Sequence, residues 1–266
     1  MYPSSVGIVG MGFVGEAVYR SFSDIIINTV TIDLNPEKTT GTYEDLLACD
    51  AVFVCVPTPM GKDGGCDTSI LDDVLSKLAG AKGVIISKST APPKHYEELN
   101  KLYPNLVHSP EFLTANNSYE DYLKATFAFI GGDIKAYRNE ADRIIKLSQP
   151  NLREVHHCTI GEAALAKYAI NTFLATKVVF MNELKSLADS AGIDYDTVSK
   201  LIRSDQRIGS SHLRVPGPEG LYGFGGACFP KDTQALLNYA ESLGVNMSVL
   251  DAAVKKNILL RLTEPK

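Results

Sequence analysis

A surplus of positive charge is missing from this sequence. It has 26 lysine and arginine residues against 31 aspartates and glutamates, and its formal net charge is -5 at pH 7. Proteins that bind nucleic acids usually show a basic excess, because they neutralise phosphates. The charge balance therefore gives no support to a nucleic-acid partner. It leaves room for a small anionic substrate, which needs only a few local cations.

Long apolar runs are missing as well. No stretch approaches the roughly 20 apolar residues of a membrane span, so we expect no membrane partner. The first residues, MYPSSVGIVGMG, lack the basic segment and the long apolar segment of a secretory leader. We therefore predict no signal peptide.

The cysteines form neither the pattern of a disulfide framework nor that of a zinc site, since their number is odd and no two are spaced as CxxC. They are Cys49, Cys55, Cys66, Cys158 and Cys228. The five histidines form no cluster either. We interpret His156 and His157 as the end of a strand and propose no metal site. These observations favour a reducing compartment and predict a cytoplasmic protein.

Short apolar runs alternate with helical patterns in the first part of the chain. The predicted strands span residues 6–9, 29–32, 51–56, 84–86 and 127–130. The predicted helices span residues 15–22, 43–48, 67–78 and 134–147. Most of these strands are continuously apolar, as parallel strands buried on both faces are. The alternation predicts an α/β fold, with a Rossmann-type doubly wound parallel sheet as its N-terminal domain, residues 1–156.

A helical pattern replaces this alternation and predicts an all-helical central domain over residues 157–266. Residues 161–191 contain no proline and no internal glycine. We interpret them as one long helix that ends before Gly192. Further helices are predicted over 195–202, 232–243 and 249–260, with a loop rich in glycine and proline over 204–230. A connection of this length is usually functional.

The long helix carries apolar residues on more than one side, including Phe173, Val178, Phe180 and Met181. A helix that is apolar on several faces must be buried on several faces. One domain of about 110 residues cannot easily cover such a helix alone. We therefore predict a homodimer or larger assembly built on helix 161–191.

The segment from Gly10 to Gly15 fits the pattern G-x-G-x-x-G, directly after an apolar strand and at the start of a helix. In this setting Gly10 permits a tight turn, Gly12 lets the backbone approach a pyrophosphate, and Gly15 allows close packing of helix and strand. Asp33 ends the next strand, where an acid accepts hydrogen bonds from the ribose and repels the 2′-phosphate of NADP. The pattern predicts NAD as the cofactor. The alternative is a glycine turn without a cofactor.

The most specific segment is GFGGACFPKD, from Gly223 to Asp232. Its glycines allow a substrate to approach the backbone closely. Cys228 precedes a predicted helix and Lys231 follows three residues later; helix-terminal N–H groups and positive charge both stabilise a thiolate. We interpret Cys228 as a nucleophile rather than a buried structural cysteine. The structural role fits Cys49, Cys55 and Cys158.

Eight segments in order resemble the UDP-glucose/GDP-mannose dehydrogenase family over nearly the whole chain. They are GMGFVG at 10–15, VPTP at 56–59, SKSTAP at 87–92, SPEFL at 109–113, KYAIN at 167–171, NE at 182–183, DQRIG at 205–209 and GFGGACFPKD at 223–232. The resemblance implies a nucleotide-sugar substrate, such as UDP-glucose. It also implies NAD-dependent oxidation of a primary alcohol of that sugar, in two steps, to the uronic acid.

The resemblance further implies catalytic roles. Cys228 would attack the intermediate aldehyde, and the resulting thiohemiacetal would lose a second hydride to become a thioester. Lys167 and Asn171, four residues apart on one helix face, would hold the developing oxyanion. Asp232 would act with the lysine through water.

Two more catalytic roles and a set of binding residues follow from the same resemblance. Glu111 would assist hydrolysis of the thioester, and Thr90 would help to place the water that attacks it. The implied cofactor contacts are Gly10, Gly12, Phe13, Val14, Gly15, Asp33, Lys38, Pro57, Thr58, Thr90 and Lys231. The implied substrate contacts are Glu111, Phe112, Leu113, Lys167, Asn171, Arg207, Phe224 and Gly225. Arg207 would reach the substrate of a neighbouring subunit.

Two features depart from the family's pattern. The family has a third domain, a second α/β unit that grips the nucleotide, whereas this sequence ends at Lys266, soon after the helix that would lead into it. We expect either a short member of the family or a truncated one. Thr114 and Ala115 stand where the family has a charged pair that includes a glutamate near NAD.

Two alternative functions stay open. One is a β-hydroxyacid dehydrogenase related to 6-phosphogluconate dehydrogenase, which performs one oxidation and needs no cysteine. The other is a non-catalytic NAD-binding relic of the family. Cys228 argues against the first alternative. Against the second stands the intact set of Thr90, Glu111, Lys167, Asn171, Cys228 and Lys231.

Overall fold

The structure, a computed structural model, describes residues 3–23, 25, 27–114 and 117–263. Ala115, which with Thr114 departs from the family's pattern, lies outside the described residues. The chain forms two compact units. The first comprises Met1–Pro59 and Cys66–Lys167, and the second comprises Met60–Gly65 and Tyr168–Lys266.

Strands and helices alternate in the first unit. Its strands are β1 (Ser5–Val9), β2 (Asn28–Ile32), β3 (Ala51–Val54), β4 (Val84–Ser87), β5 (Leu106–His108), β6 (Phe127–Gly131) and β7 (Glu154–Cys158). Its helices are α1 (Phe13–Ser23), α2 (Tyr43–Leu47), α3 (Ser69–Lys77), α4 (Pro93–Leu102), α5 (Ser118–Lys124) and α6 (Lys135–Ser148), with a 3₁₀ turn at Pro36–Lys38. The predicted α/β alternation is confirmed.

The seven strands form one sheet in the order β2-β1-β3-β4-β5-β6-β7. Neighbouring strands run parallel except β5 and β6, which pair antiparallel at His108 and Gly131. The predicted parallel sheet is therefore confirmed with one antiparallel exception. Because β1 lies between β2 and β3, the strand order reverses there. Open sheets of this kind bind ligands outside the carboxyl ends of their strands, at that reversal.

Both faces of this sheet are covered by helices. Phe53 and Ile86 belong to one core, which includes residues of α1, α5 and α6. Val52 and Ile85 point to the other face and belong to a core with residues of α2, α3 and α4. Since side chains alternate across a strand and both faces are buried, the central strands are apolar at successive positions. The core thus explains the continuous apolar runs of the sequence.

The sequence did not predict α4, α5 or β5, and of β7 it predicted only the end, at His156 and His157. The first of these helices is mostly polar, and its opening Pro93 is suited to a first turn because the missing N–H would be unpaired there. Strand β5 has only three residues. Strand β7 is at the edge of the sheet and is largely exposed. Short strands and edge strands have no continuous apolar run to reveal them.

Helices make up the second unit. They are α7 (Ile160–Ser190), α8 (Tyr195–Arg203), α9 (Phe229–Ser242) and α10 (Ser248–Arg261). The first of them starts in the first unit, so the change to helical structure and the division into units fall at different residues. Gly192 follows α7 with a φ of 68°. Helix α9 begins at Phe229, earlier than predicted, because Cys228 is its N-cap and Pro230 lies in its first turn.

Helix α7 leaves large apolar side chains in water. Phe173 is 71% exposed, Phe180 is 58% exposed and Leu187 is 65% exposed. Met181, by contrast, is buried in a core of the second unit. A single chain therefore covers only part of the apolar surface of this helix. Within the described residues, no helix has the length and apolar character that crossing a membrane requires.

His108 is a fully buried titratable group at the end of β5. Its ring stacks on Tyr96 with centroids 4.2 Å apart, and Nδ1 lies 3.1 Å from the carbonyl oxygen of Ser87. In the part of the chain that the structure describes, Nε2 has no hydrogen-bond partner. Burial lowers the pKa of His108 to about 3. The folded protein therefore keeps this ring neutral, with the proton on Nδ1.

We predict that His108 makes the first unit sensitive to acid. Its pKa is depressed to about 3 in the folded state, so the unfolded chain binds more protons between that pH and the ordinary pKa of about 6.5. The free energy of unfolding should fall as the pH falls through this window, by at most about 1.4 kcal/mol per pH unit. Urea unfolding at a series of pH values measures the slope.

His108→Gln is the matched variant, because its amide keeps an N–H donor near Ser87 but cannot titrate. It should be less stable than the unsubstituted protein at neutral pH and should lose less stability on acidification. An acid slope that is the same in both proteins would contradict the role of His108.

Candidate active site

Three glycines shape the turn between β1 and α1. Gly10 has a φ of 89°, and a Cβ at Gly15 would lie 1.9 Å from the carbonyl oxygen of Gly10. A Cβ at Gly12 would meet no heavy atom within 4 Å. The protein's own packing therefore requires Gly10 and Gly15, whereas Gly12 borders open space. A pyrophosphate fits there, because the N-terminus of a helix presents unpaired N–H groups and positive potential.

Asp33 follows β2 and lies against this turn. Its carboxylate accepts hydrogen bonds from the backbone N–H groups of Met11 at 2.6 Å and Asn35 at 2.8 Å. The ammonium of Lys38 donates to the carbonyl of Met11 at 2.8 Å. The N–H groups of Asn35 and Met11, together with the Lys38 charge, hold the pKa of Asp33 below its usual value, although burial opposes them. The position suits an ionised acceptor for ribose hydroxyls.

Two loops that follow neighbouring strands are tied together at the same edge of the sheet. Thr58, after β3, donates from Oγ1 to the carbonyl of Thr90, after β4, at 2.6 Å. Ser89 donates from Oγ to the carbonyl of Val56 at 2.7 Å. Thr58 is buried, Thr90 is half-buried and Pro57 is exposed. The glycine turn, Asp33 and these two loops together offer polar groups of the kind that bind NAD, and we call them the cofactor cradle.

Lys167 and Glu111 form a buried pair in the first unit. Their side chains are 4% and 10% exposed, and Lys167 Nζ lies 3.4 Å from Glu111 Oε1. The same ammonium donates to the backbone carbonyl of Glu111. Glu111 Oε2 accepts a hydrogen bond from the N–H of Leu113 at 2.6 Å. The two predicted site residues are thus brought together, and the Leu113 N–H fixes the carboxylate.

An aromatic cluster lies beside this pair. The ring centroid of Phe112 is 4.8 Å from Lys167 Nζ, a distance at which a cation is attracted to the ring face. Phe112 also packs against Phe127 and Phe129, with centroids 5.2 Å and 5.7 Å away. The ring of Phe112 therefore gives the buried ammonium a second electrostatic contact besides Glu111.

A second charged cluster is buried in the second unit. Asp232 is 1% exposed, and its two oxygens accept from Asn171 Nδ2 at 2.6 Å and from Lys231 Nζ at 2.5 Å. Asn171 is 6% exposed. Three predicted site residues thus meet here. Asn171 lies one turn beyond Lys167 on α7, as their spacing predicted.

The glycine-rich segment before Cys228 is held by two asparagines that the sequence did not single out as site residues. The side-chain oxygen of Asn182 accepts a hydrogen bond from the N–H of Gly223 at 3.1 Å. Asn257 accepts the N–H of Phe224 at 2.7 Å and donates to its carbonyl at 3.0 Å. Both asparagines are buried. Asn182 belongs to the family segment NE at 182–183, and Asn257 is a polar residue in a helical pattern; neither signal identifies the hydrogen-bond partner.

Cys228 is half-buried at the N-cap of α9, where its carbonyl accepts the N–H of Asp232 at 2.8 Å. Burial raises the pKa of Cys49 and Cys158, and raises that of Cys55 to about 12. These three cysteines therefore stay as thiols at neutral pH. All five cysteines are described, and none of them forms a disulfide.

The other predicted contacts lie in varied settings. Phe13, on the first turn of α1, is 38% exposed, and Val14 is half-buried. Phe224 is buried in a core that includes Ala175, and a Cβ at Gly225 would lie 2.7 Å from Arg261 Nη2. The side chain of Arg207 is 89% exposed and pairs with Asp205 at 2.6 Å. Within this chain Arg207 thus reaches into solvent.

Two family models match this chain. Residues 37–148 match the NAD binding domain of the UDP-glucose/GDP-mannose dehydrogenase family, and residues 161–258 match its central domain. A UDP-glucose 6-dehydrogenase from Rickettsia bellii is 34% identical over 230 residues, which cover 83% of this chain and 52% of that protein. The chain thus spans about half the length of the curated relatives it matches.

Solved structures of similar fold include a UDP-glucose dehydrogenase and an enzyme with another substrate. A UDP-glucose dehydrogenase from the archaeon Pyrobaculum islandicum has a TM-score of 0.82 and 27% identity, covering 96% of this chain and 68% of that one. The 3-hydroxyisobutyrate dehydrogenase of Mycobacterium tuberculosis has a TM-score of 0.75 at 17% identity, covering 96% of this chain and 92% of that one, and shows a common fold alone. This chain belongs to the UDP-glucose/GDP-mannose dehydrogenase family. Its match to the NAD binding domain identifies NAD as the cofactor.

We expect Gly12→Ala to fold normally and to bind NAD about tenfold more weakly or worse, the effect of about 1.4 kcal/mol of lost contact. The added Cβ would meet no protein atom but would fill the space where a pyrophosphate approaches the backbone. Calorimetric titration with NAD measures the affinity.

Gly15→Ala is the control for folding. Its Cβ would overlap the carbonyl oxygen of Gly10, so this variant should lower the melting temperature of the first unit. NAD binding by Gly12→Ala that equals that of the unsubstituted protein would mean that the cofactor does not lie at this turn.

Proposed function

We propose that this chain carries out the NAD-dependent oxidation of a nucleotide sugar, resembling UDP-glucose, from its primary alcohol to the uronic acid. The observation that carries the proposal is the position of Cys228 at the N-cap of α9, three residues before Lys231 and four before the buried Asp232. A helix N-terminus and a nearby cation both favour the thiolate form of a cysteine. Membership of the family supports the same reaction.

NAD, when bound, supplies the hydride acceptor, and each of the two oxidations uses one molecule of it. In the first, the alcohol also loses its proton, and the proposed role of Lys167 and Asn171 is to stabilise the oxygen as negative charge develops on it. Asn171 gives one N–H to Asp232, so its second N–H is left for the substrate oxygen. Asp232, acting through water, is the proposed acceptor of the alcohol proton.

The second oxidation needs the thiol. Cys228 Sγ adds to the aldehyde carbon, and the carbonyl oxygen gains a proton to give a thiohemiacetal. This carbon can now lose a hydride, which an aldehyde cannot do directly, and loss of the hydroxyl proton leaves a thioester. Water then adds to the thioester and the carbon–sulfur bond breaks, which releases the carboxylate and restores the thiol. Glu111 is the proposed base for this water, and Thr90 its proposed positioning group.

The single-step alternative rests on the fold that this chain shares with 3-hydroxyisobutyrate dehydrogenase. The single oxidation catalysed by a β-hydroxyacid dehydrogenase ends at the first hydride transfer and requires no cysteine. The count of NADH produced per sugar therefore separates the two candidate reactions. A protein that binds NAD without oxidising any nucleotide sugar would be the non-catalytic relic.

We predict that Cys228 is needed for the second oxidation only. The unsubstituted protein should approach two NADH per sugar. Cys228→Ala should give at most one NADH per sugar, with the rate of complete oxidation reduced about 10²-fold or more, as is common when a positioned catalytic group is lost. Cys228→Ser should stop at the aldehyde or accumulate a tightly held ester. A stoichiometric burst assay, in which NADH is counted against sugar, measures all three proteins.

Cys158→Ala is the matched control, because Cys158 is half-buried like Cys228 but ends the edge strand β7, and it should retain the full count. Two NADH per sugar at the normal rate from Cys228→Ala would make Cys228 structural. One NADH per sugar from the unsubstituted protein would instead support the single-step reaction.

We further propose that the protein is a cytoplasmic homodimer built on α7. The exposed Phe173 and Phe180 support this assembly, since large apolar side chains on a helix are usually covered. Each side chain is expected to stabilise the dimer by about 1.5–3 kcal/mol when it is buried.

The double substitution Phe173→Glu and Phe180→Glu should therefore convert a dimer into a monomer. Leu102→Glu is the control, because Leu102 on α4 is as exposed as Phe173 but lies in the first unit. Light scattering at micromolar concentration measures the mass of each protein. A monomeric unsubstituted protein would count decisively against this assembly.

A further inference from the structure

Lys88 is a buried lysine for which the proposed reaction has no role. It follows β4 directly and is only 4% exposed. Its ammonium donates to Ser109 Oγ at 3.1 Å and lies 6.0 Å from the ring centroid of Tyr122. A lysine is almost never fully buried unless it is paired, and a neutral hydroxyl is a weak partner for a full charge. The position of Lys88 therefore calls for another source of stabilisation.

The sheet places this ammonium at the edge where the candidate site is built. Lys88 donates its backbone N–H to Val54 at 2.8 Å, so it is fixed at the carboxyl ends of β3 and β4. Ser109 directly follows β5 and donates its N–H to Ser87 at 2.9 Å. Glu111 lies two residues beyond Ser109. The hydrogen bond from Lys88 thus holds the start of the segment that presents the Glu111 carboxylate.

The groups that act on Lys88 come from each element around it. Glu111 favours its charged form, and Lys167 on α7 opposes it. Cys55, His108 and Tyr122 surround it, and burial keeps all three of them uncharged at neutral pH. Burial lowers the pKa of Lys88 to about 8, so the ammonium form still predominates at neutral pH. Lys88, Glu111 and Lys167 therefore form a cluster of two cations and one carboxylate.

We propose that Lys88 is a positioning residue for the Glu111–Lys167 pair: its ammonium, anchored on Ser109, holds the segment that orients the Glu111 carboxylate. This inference rests on the proposed function, in which Glu111 activates water as a carboxylate. The hydrogen bond to Ser109 fixes the backbone two residues before Glu111, and a second cation nearby attracts the carboxylate. The surplus positive charge also favours the anionic states that the reaction forms on the substrate.

Three variants test the role in the full chain. Lys88→Met keeps the length of the side chain and removes its charge, and kcat should fall by about tenfold, the size of one lost hydrogen bond to a charged group. The KM for NAD and its Kd should not change, because the cofactor cradle is untouched. Lys88→Arg should restore part of kcat, and Ser109→Ala should lower kcat less than Lys88→Met does.

Lys94→Met is the matched control, because it makes the same chemical change at an exposed lysine on α4. It should leave kcat as it is. An unchanged kcat in Lys88→Met would overturn the proposal. So would a general loss, in which Lys88→Met and Lys88→Arg lower kcat, NAD affinity and melting temperature together, since that pattern means that Lys88 only supports the fold.

A titration without turnover separates this inference from the proposed function. In protein labelled with ¹³C at the lysine ε-carbon, the signal that Lys88→Met removes should titrate near pH 8. Glu111→Gln should lower that midpoint and Lys167→Met should raise it, because the first removes an opposite charge and the second a like charge. Midpoints that both variants leave unchanged would overturn the charge cluster. Absence of NADH production from the unsubstituted protein would instead overturn the proposed function and leave this measurement valid.

Discussion

A charge that is removed from water must be paired, and this constraint governs the polar chemistry of the chain. In the first unit, the buried Lys167 is paired with Glu111, whose backbone carbonyl it also binds. In the second, the buried Asp232 is paired with Lys231 and Asn171. Removing one partner of such a pair costs about 3–5 kcal/mol, because it leaves an uncompensated charge. Each pair therefore stabilises the unit in which it lies, and each consists of candidate site residues.

A second constraint is space, and it governs where the cofactor can lie. Backbone atoms fill the positions of a side chain at Gly10 and Gly15, whereas Gly12 borders a gap that the protein leaves open. Asp33 closes one side of this turn through the N–H of Met11. Anion binding by backbone N–H groups, together with an ionised acceptor for hydroxyls, suits a dinucleotide with a free 2′-hydroxyl. Packing and recognition thus use the same few residues.

The sequence predicted those features that depend on local pattern. The apolar strands, the glycine turn, the 31-residue helix α7 and the presence of a helix after Cys228 all have signals within a few residues. It could not predict β5, because a three-residue strand lacks an apolar run, and of the exposed edge strand β7 it predicted only the end. Nor could it place Asn182 and Asn257 against the glycine loop, since their partners are 41 and 33 residues away. The pairing of Lys88 with Ser109 is likewise decided by the order of the strands and not by spacing.

The proposed reaction requires Cys228 to form a covalent bond to the substrate carbon between the two oxidations. Mass spectrometry of the full chain, quenched in acid during turnover with NAD and a nucleotide sugar and then digested, detects such a bond. We expect the peptide containing Cys228 to gain the mass of the oxidised sugar nucleotide, and the adduct to disappear when the sugar is exhausted. Continued production of two NADH per sugar without any adduct on Cys228 would contradict this requirement.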